Sequence, residues 1–141
     1  MSMGGELHQV ILCLGSNRDK EANMERATEI LLARFPHIRL SVTVATEPVD
    51  SPTSDLFLNR VALLYSELSA NSIVDILKEI EMELGRKRTD KLTGSIPIDI
   101  DLIAYDDMIV KPNDMERDYV ISGIESLLGA RYCDKWGNGK A

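Results

Sequence analysis

Ile98-Asp99-Ile100-Asp101-Leu102-Ile103-Ala104-Tyr105 is the stretch that decides how this chain folds. Apolar and acidic residues alternate through its first five positions, the period of a strand with one face in a core. Asp99 and Asp101, two apart, therefore share a face with Cα atoms roughly 6–7 Å apart. Ile98, Ile100 and Leu102 point the other way. The segment before it is helical: Ile73, Ile76, Leu77, Ile80 and Leu84 form one stripe, Ser69 is placed to cap it, and Gly85 suits its C-terminus. This strand thus closes a helix-then-strand unit.

Working toward the N-terminus, Phe57–Ser66 has strand composition, and Glu47–Leu56, rich in proline, serine and aspartate, is a loop. Ile38, Leu40, Val42 and Val44 alternate with polar or small residues, which predicts one half-buried strand running to Ala45. Before it, Met24, Ala27, Leu31 and Phe35 recur at helical spacing, with Asn17 or Asp19 as cap and Pro36 at the exit. Gln9–Leu14 is an apolar strand ending in a Gly15-Ser16-Asn17 turn. The order is β-α-β-β-α-β. It predicts an α+β, ferredoxin-like sandwich with a short C-terminal addition, helical near Ser122–Leu128. At 141 residues the chain is read as a single domain, 1–141, with its core at about residues 9–128.

Composition excludes several functions. Sixteen basic against twenty-three acidic residues give a net charge of −7, without the basic footprint of a nucleic-acid binder. No apolar run is long enough for a membrane helix, and the first five residues do not form a secretory signal. Cys13 and Cys133 are not a disulfide framework, so the cytoplasm is the expected compartment. His8 and His37 lack metal-ligand spacing and read as surface residues; Met82 reads as a packing residue.

Three groups of residues can carry chemistry. Asp99 and Asp101 offer hard oxygen ligands suited to Mg²⁺, although an acidic pair on a strand is more often simply solvated. Glu81, Arg86 and Arg88 lie at the end of the second helix, where arginines grip phosphate or merely complement the helix dipole. Phe57 and Asn59 share a strand face, so that an aromatic plane and an amide can hold a flat heterocycle. The loop from Arg86 to Pro97, polar and carrying Gly94, is expected to be mobile.

Taken in order, Leu14-Gly15-Ser16-Asn17, Thr46-Glu47-Pro48, Phe57-Leu58-Asn59, Ile80-Glu81 through Leu84-Gly85-Arg86 and Arg88, and Ile98 to Ile103 with Tyr105 resemble the 6-hydroxymethyl-7,8-dihydropterin pyrophosphokinases of folate biosynthesis. The resemblance implies a ferredoxin-like fold and transfer of the β,γ-diphosphate of ATP, the co-substrate, to the pterin's hydroxymethyl oxygen. By position it implies that Asp99 and Asp101 hold two Mg²⁺ ions and, with Arg86, form the catalytic set. Asn59 would hydrogen-bond the pterin, Phe57 and Tyr119 would stack on its faces, and backbone near Thr46 and Val49 would meet its edge. Glu81, Arg86, Arg88, Lys91 and Arg117 would face ATP. It implies small-molecule partners only and a monomer. The chain departs from the family where Thr93-Gly94-Ser95-Ile96-Pro97 replaces Trp-Gly-Pro-Arg-Thr, and Lys111–Arg117 lacks a Pro-His pair. A guanidinium is thus absent at Ile96, with Lys91 as its candidate substitute. The alternative implied is a non-catalytic relative that binds a pterin or a nucleotide.

Overall fold

The computed structural model describes residues 6–48 and 53–129. The strands are β1 (His8–Ser16), β2 (Ile38–Leu40), β3 (Val44–Thr46), β4 (Phe57–Ser66), β5 (Asp99–Tyr105) and β6 (Met108–Ile109). The helices are α1 (Lys20–Arg34), α2 (Ala70–Glu83), α3 (Asp90–Thr93), α4 (Pro112–Met115) and α5 (Asp118–Leu128). All strand pairs are antiparallel, in the order β2-β4-β1-β5-β6, with β3 also on β4. This is the ferredoxin-like order expected of β-α-β-β-α-β, extended by β6 and the C-terminal helices.

Each central strand is apolar on both faces because both faces are covered. Val10, Leu12 and Leu14 join Ala62, Leu64, Ile98, Ile100 and Leu102 beneath α1 and α2. The α1 stripe is buried as read, at Met24, Ala27, Leu31 and Phe35. On the opposite face Ile11, Cys13, Val61, Leu63 and Ile103 pack under Val120 and Ile124 of α5. Gly123 makes that approach possible, since a Cβ there would stand 2.7 Å from the Val61 Cγ2. The second face also extends past α5, and its uncovered end is where the polar residues lie.

The strand expected over 38–45 is two strands, and Val42 and Val44 are not inward: Val42 is 77% exposed. The register gives the reason. Leu40 pairs with Ala62 but Val44 with Asn59, four residues against three. One extra residue in an antiparallel pair flips everything after it to the other face. Ser41 fills the kink, donating its N–H to the Val61 carbonyl and accepting the Val61 N–H at its Oγ.

Ser69 caps α2 as read, its Oγ accepting the Ser72 N–H at 3.2 Å, and Gly85 has φ 97°. Neither Asn17 nor Asp19 caps α1 through its side chain; Asp19 is the cap residue by backbone alone, at φ 46°. The Arg86–Pro97 loop contains the helical turn α3. Met82 is exposed and does not pack, while His8 is half-buried, 2.6 Å from Asp106 and stacked on Tyr105. Val49, Cys133 and the tail beyond Gly129 lie outside the described residues.

Candidate functional site

Strand register builds the site row by row on the uncovered face. Gly15 of β1 lies directly between Asn59 of β4 and Asp99 of β5. In the next row Cys13 lies between Val61 and Asp101. At strand spacings of about 4.8 Å, the Asn59 and Asp99 positions are about 10 Å apart across a glycine. A Cβ on Gly15 would stand 3.4 Å from Asn59 Oδ1 and 3.6 Å from the Phe57 ring. The missing side chain leaves a floor between an amide and a carboxylate.

Over that floor is a cavity of about 240 Å³, lined by Thr46, Phe57 and Asn59 from β3 and β4, by Asp99 and Asp101 from β5 across β1, and by Asp114, Arg117 and Tyr119. Asn59 is only 5% exposed. Its Nδ2 donates to Thr46 Oγ1 at 2.6 Å and to the Val44 carbonyl at 3.1 Å, which fixes the plane of the amide. Cys13 forms part of the same wall, and burial pushes its thiol up to about 12, which keeps it protonated and a poor nucleophile at neutral pH.

A second cavity, about 380 Å³, lies beyond the two aspartates and takes in Lys78, Glu81, Arg86, Lys91 and Lys111. Asp99 and Asp101 belong to both. Arg86 is held tightly: its Nη1 donates to the Ile98 carbonyl at 3.0 Å and to Asp99 Oδ1 at 3.1 Å, and stands 3.7 Å from Glu81. Glu81 accepts the Ile100 N–H at 2.7 Å. Burial raises its carboxyl to about 7, against that hydrogen bond, and the charge of Asp99 adds to the rise. Burial likewise raises Asp101 to about 6, with Asp99 the next cause and Lys111 opposing.

Asp99 and Asp101 lie close enough that the charge of Asp99 raises Asp101. Their mutual repulsion is what a divalent cation relieves, and all their donors are the hard oxygens that Mg²⁺ takes. Among the described residues no group of three or more His, Cys, Asp or Glu forms a metal cage. Two carboxylates facing open cavities suit instead an ion that keeps water and takes phosphate oxygens.

Most of the site residues read from the sequence are gathered here, but not all on the expected side. Arg117 pairs with Asp114 at 3.4 Å and lines the first cavity, not the basic one. Arg88 is exposed and lines neither. Ile96 is buried, and what it contributes is backbone. The Asn17 and Arg18 N–H groups donate to its carbonyl at 3.0 and 3.2 Å. Asn17 Nδ2 donates to the Gly94 carbonyl at 2.7 Å, and its Oδ1 accepts the Ile96 N–H at 2.6 Å. Buried Asp90 accepts the Lys87 N–H at 2.7 Å, with Arg18 3.6 Å away. The loop carrying Arg86 and Lys91 is therefore clasped to the end of β1. Sequence reading missed this clasp, the floor at Gly15, and Lys111. Gly15 was legible from its parity with Cys13; Asn17 carried no local signal, because its partners are 77 and 79 residues away.

A family model described as 7,8-dihydro-6-hydroxymethylpterin-pyrophosphokinase matches residues 11–128. A 2-amino-4-hydroxy-6-hydroxymethyldihydropteridine pyrophosphokinase of Porphyromonas gingivalis is 39% identical over 102 residues, covering 68% of this chain and 68% of that protein. One from Methylorubrum extorquens is 35% identical over 117 residues, covering 76% and 73%. The chain is also 28% identical over 136 residues to a folate synthesis bifunctional protein of Arabidopsis thaliana; the match takes in 89% of this chain but only 28% of that longer protein.

Proposed function

Since the chain belongs to the 7,8-dihydro-6-hydroxymethylpterin-pyrophosphokinase family, we propose that it transfers the terminal diphosphate of ATP to 6-hydroxymethyl-7,8-dihydropterin, releasing AMP, in folate synthesis. The observation that carries this reading is the sharing of Asp99 and Asp101 by two cavities of different chemistry. One has an amide and aromatic rings suited to a flat heterocycle; the other has lysines and an arginine suited to phosphates.

The pterin lies over Gly15, against Asn59, with Phe57 and Tyr119 at its faces, and its hydroxymethyl arm reaches toward the aspartates. The hydroxyl oxygen bonds to the β-phosphorus as the bond from that phosphorus to the α,β-bridging oxygen breaks. AMP leaves with the bridging oxygen, and the hydroxyl proton passes to solvent. Asp99 and Asp101 would hold magnesium, which when bound neutralises phosphate charge and aligns the oxygens. Arg86, fixed by Ile98 and Asp99, presents its charge to ATP from a rigid mount. Glu81 holds that mount against the strand through Ile100. Lys91 stands in the basic cavity as a second cation.

The same proposal has the chain acting as a cytoplasmic monomer on small molecules alone. Its net charge of −7 supports the absence of a nucleic-acid partner, and no described helix is long and apolar enough to cross a membrane.

The test is turnover of ATP with hydroxymethyl-dihydropterin and Mg²⁺, separating AMP from ADP. AMP is expected, with Asp99→Ala and Asp101→Ala each lowering the rate at least a thousandfold, roughly the 4 kcal/mol of a lost charge clamp. ADP would mean simple phosphorylation. Neither nucleotide product, with pterin still bound, would leave a binding module.

A further inference from the structure

Asp99 and Asp101 are each paired with a cation, and the two cations are mounted differently. Arg86, 17% exposed, is fixed by three protein oxygens, those of Ile98, Asp99 and Glu81. Lys111, from the segment after β6, meets Asp101 with Nζ 3.4 Å from Oδ1. Its backbone is anchored while its side chain is not. The β5–β6 hairpin turns back at Asp106, and the Val110 and Lys111 N–H groups both donate to the Ile103 carbonyl. Pro112 then opens α4. The lysine stem thus starts from a fixed point beside Asp101, and its ammonium faces the basic cavity with Lys78, Lys91 and Arg86. The pair is half-exposed, 46% at Lys111 and 33% at Asp101. A single contact of this kind at 3.4 Å is weak and exchangeable.

We propose that Lys111 is a displaceable counter-ion: it neutralises Asp101 in the empty site, yields that carboxylate to an arriving divalent cation, and then binds a phosphate oxygen of ATP. This rests on reading Asp99 and Asp101 as magnesium ligands and the basic cavity as the nucleotide's. Lysine suits the role, since its ammonium is a point charge on a flexible stem, whereas the Arg86 fork is tied to its partners. Both carboxylates are neutralised before substrate arrives, and charge is conserved in place when it does.

The two halves of the proposal predict opposite effects of one substitution. Titrating Mn²⁺ alone into Lys111→Met should show binding two- to fivefold tighter than wild type, because a weak competitor is gone. Titrating α,β-methylene-ATP with Mg²⁺ should show binding roughly tenfold weaker, because a charged hydrogen bond to phosphate is lost. Lys111→Arg should restore nucleotide binding to within a few-fold. Unchanged or weaker Mn²⁺ binding in Lys111→Met overturns the counter-ion role, and unchanged nucleotide binding overturns the hand-over. Asp101→Asn separates this from the underlying reading. If wild type binds Mn²⁺ and Asp101→Asn does not, the metal assignment stands whatever Lys111 does. If wild type binds no Mn²⁺, both fall. Equal melting temperatures for wild type and Lys111→Met exclude misfolding as the cause.

Discussion

Single side chains decide the chemistry here by what they are denied as much as by what they hold. Asn59 has its amide N–H groups committed to Thr46 and Val44, so its plane is set before any ligand arrives. Arg86 is similarly committed. Cys13 is the opposite case, a thiol facing the cavity that burial makes inert. Its folded value of about 12 lies above the ordinary 9.0, so the native state holds the proton that the unfolded chain releases. Stability from this group is complete below pH 9 and falls as pH rises toward 12. Between pH 8 and 10.5 the loss should be on the order of 2 kcal/mol in wild type. Cys13→Ala should show a smaller loss over the same range. Urea midpoints at the two pH values measure it, and equal losses in the two proteins would refute the assignment.

At the scale of elements, the site depends on a strand end gripping a loop. Asn17, just past β1, satisfies both the Gly94 carbonyl and the Ile96 N–H. Removing its side chain leaves those two buried groups unpaired, at about 1–3 kcal/mol each. Asn17→Ala should therefore cost about 2–6 kcal/mol of stability and raise the KM for ATP several-fold, because α3 and Lys91 lose their support. Urea unfolding and steady-state kinetics check the two effects; a stable variant with unchanged KM would show the clasp to be incidental. Element boundaries were legible where periodicity was strong. The α1 and α2 stripes and the alternation of β5 are buried as their spacing requires. The 38–45 segment was not legible. Its alternation is the same whether the strand is continuous or kinked, and only pairing with β4 reveals the extra residue.

Across the whole molecule, one sheet does two tasks on one face. Where α5 covers it the face is apolar core, and where α5 ends it is a row of amide, glycine and carboxylate. Asp99 and Asp101 wall both cavities, so occupancy of one is expected to be felt in the other. Mg²⁺ with α,β-methylene-ATP should tighten pterin binding about tenfold, and by linkage the pterin should tighten the nucleotide equally. Calorimetric titration of the pterin with and without the nucleotide tests this. Excess chelator should abolish the coupling; pterin affinity indifferent to the nucleotide would mean the cavities act separately.

The sequence by itself determined the order of elements, the inward and outward faces of β5, and the residue types for a carboxylate pair, an aromatic-amide pair and a basic helix end. Those are local properties, fixed by side-chain period and by neighbours a few residues away. The tertiary structure alone decided which groups meet. It put Gly15 between Asn59 and Asp99, turned Arg117 to the first cavity, left Arg88 outside, and brought Asn17 to the Arg86–Pro97 loop. Hairpin register would carry Lys111 to about the level of Leu102, but the reach of its ammonium to Asp101 needs the anchored turn at Ile103. Contacts of that kind join residues far apart in the chain, and no period within a segment records them.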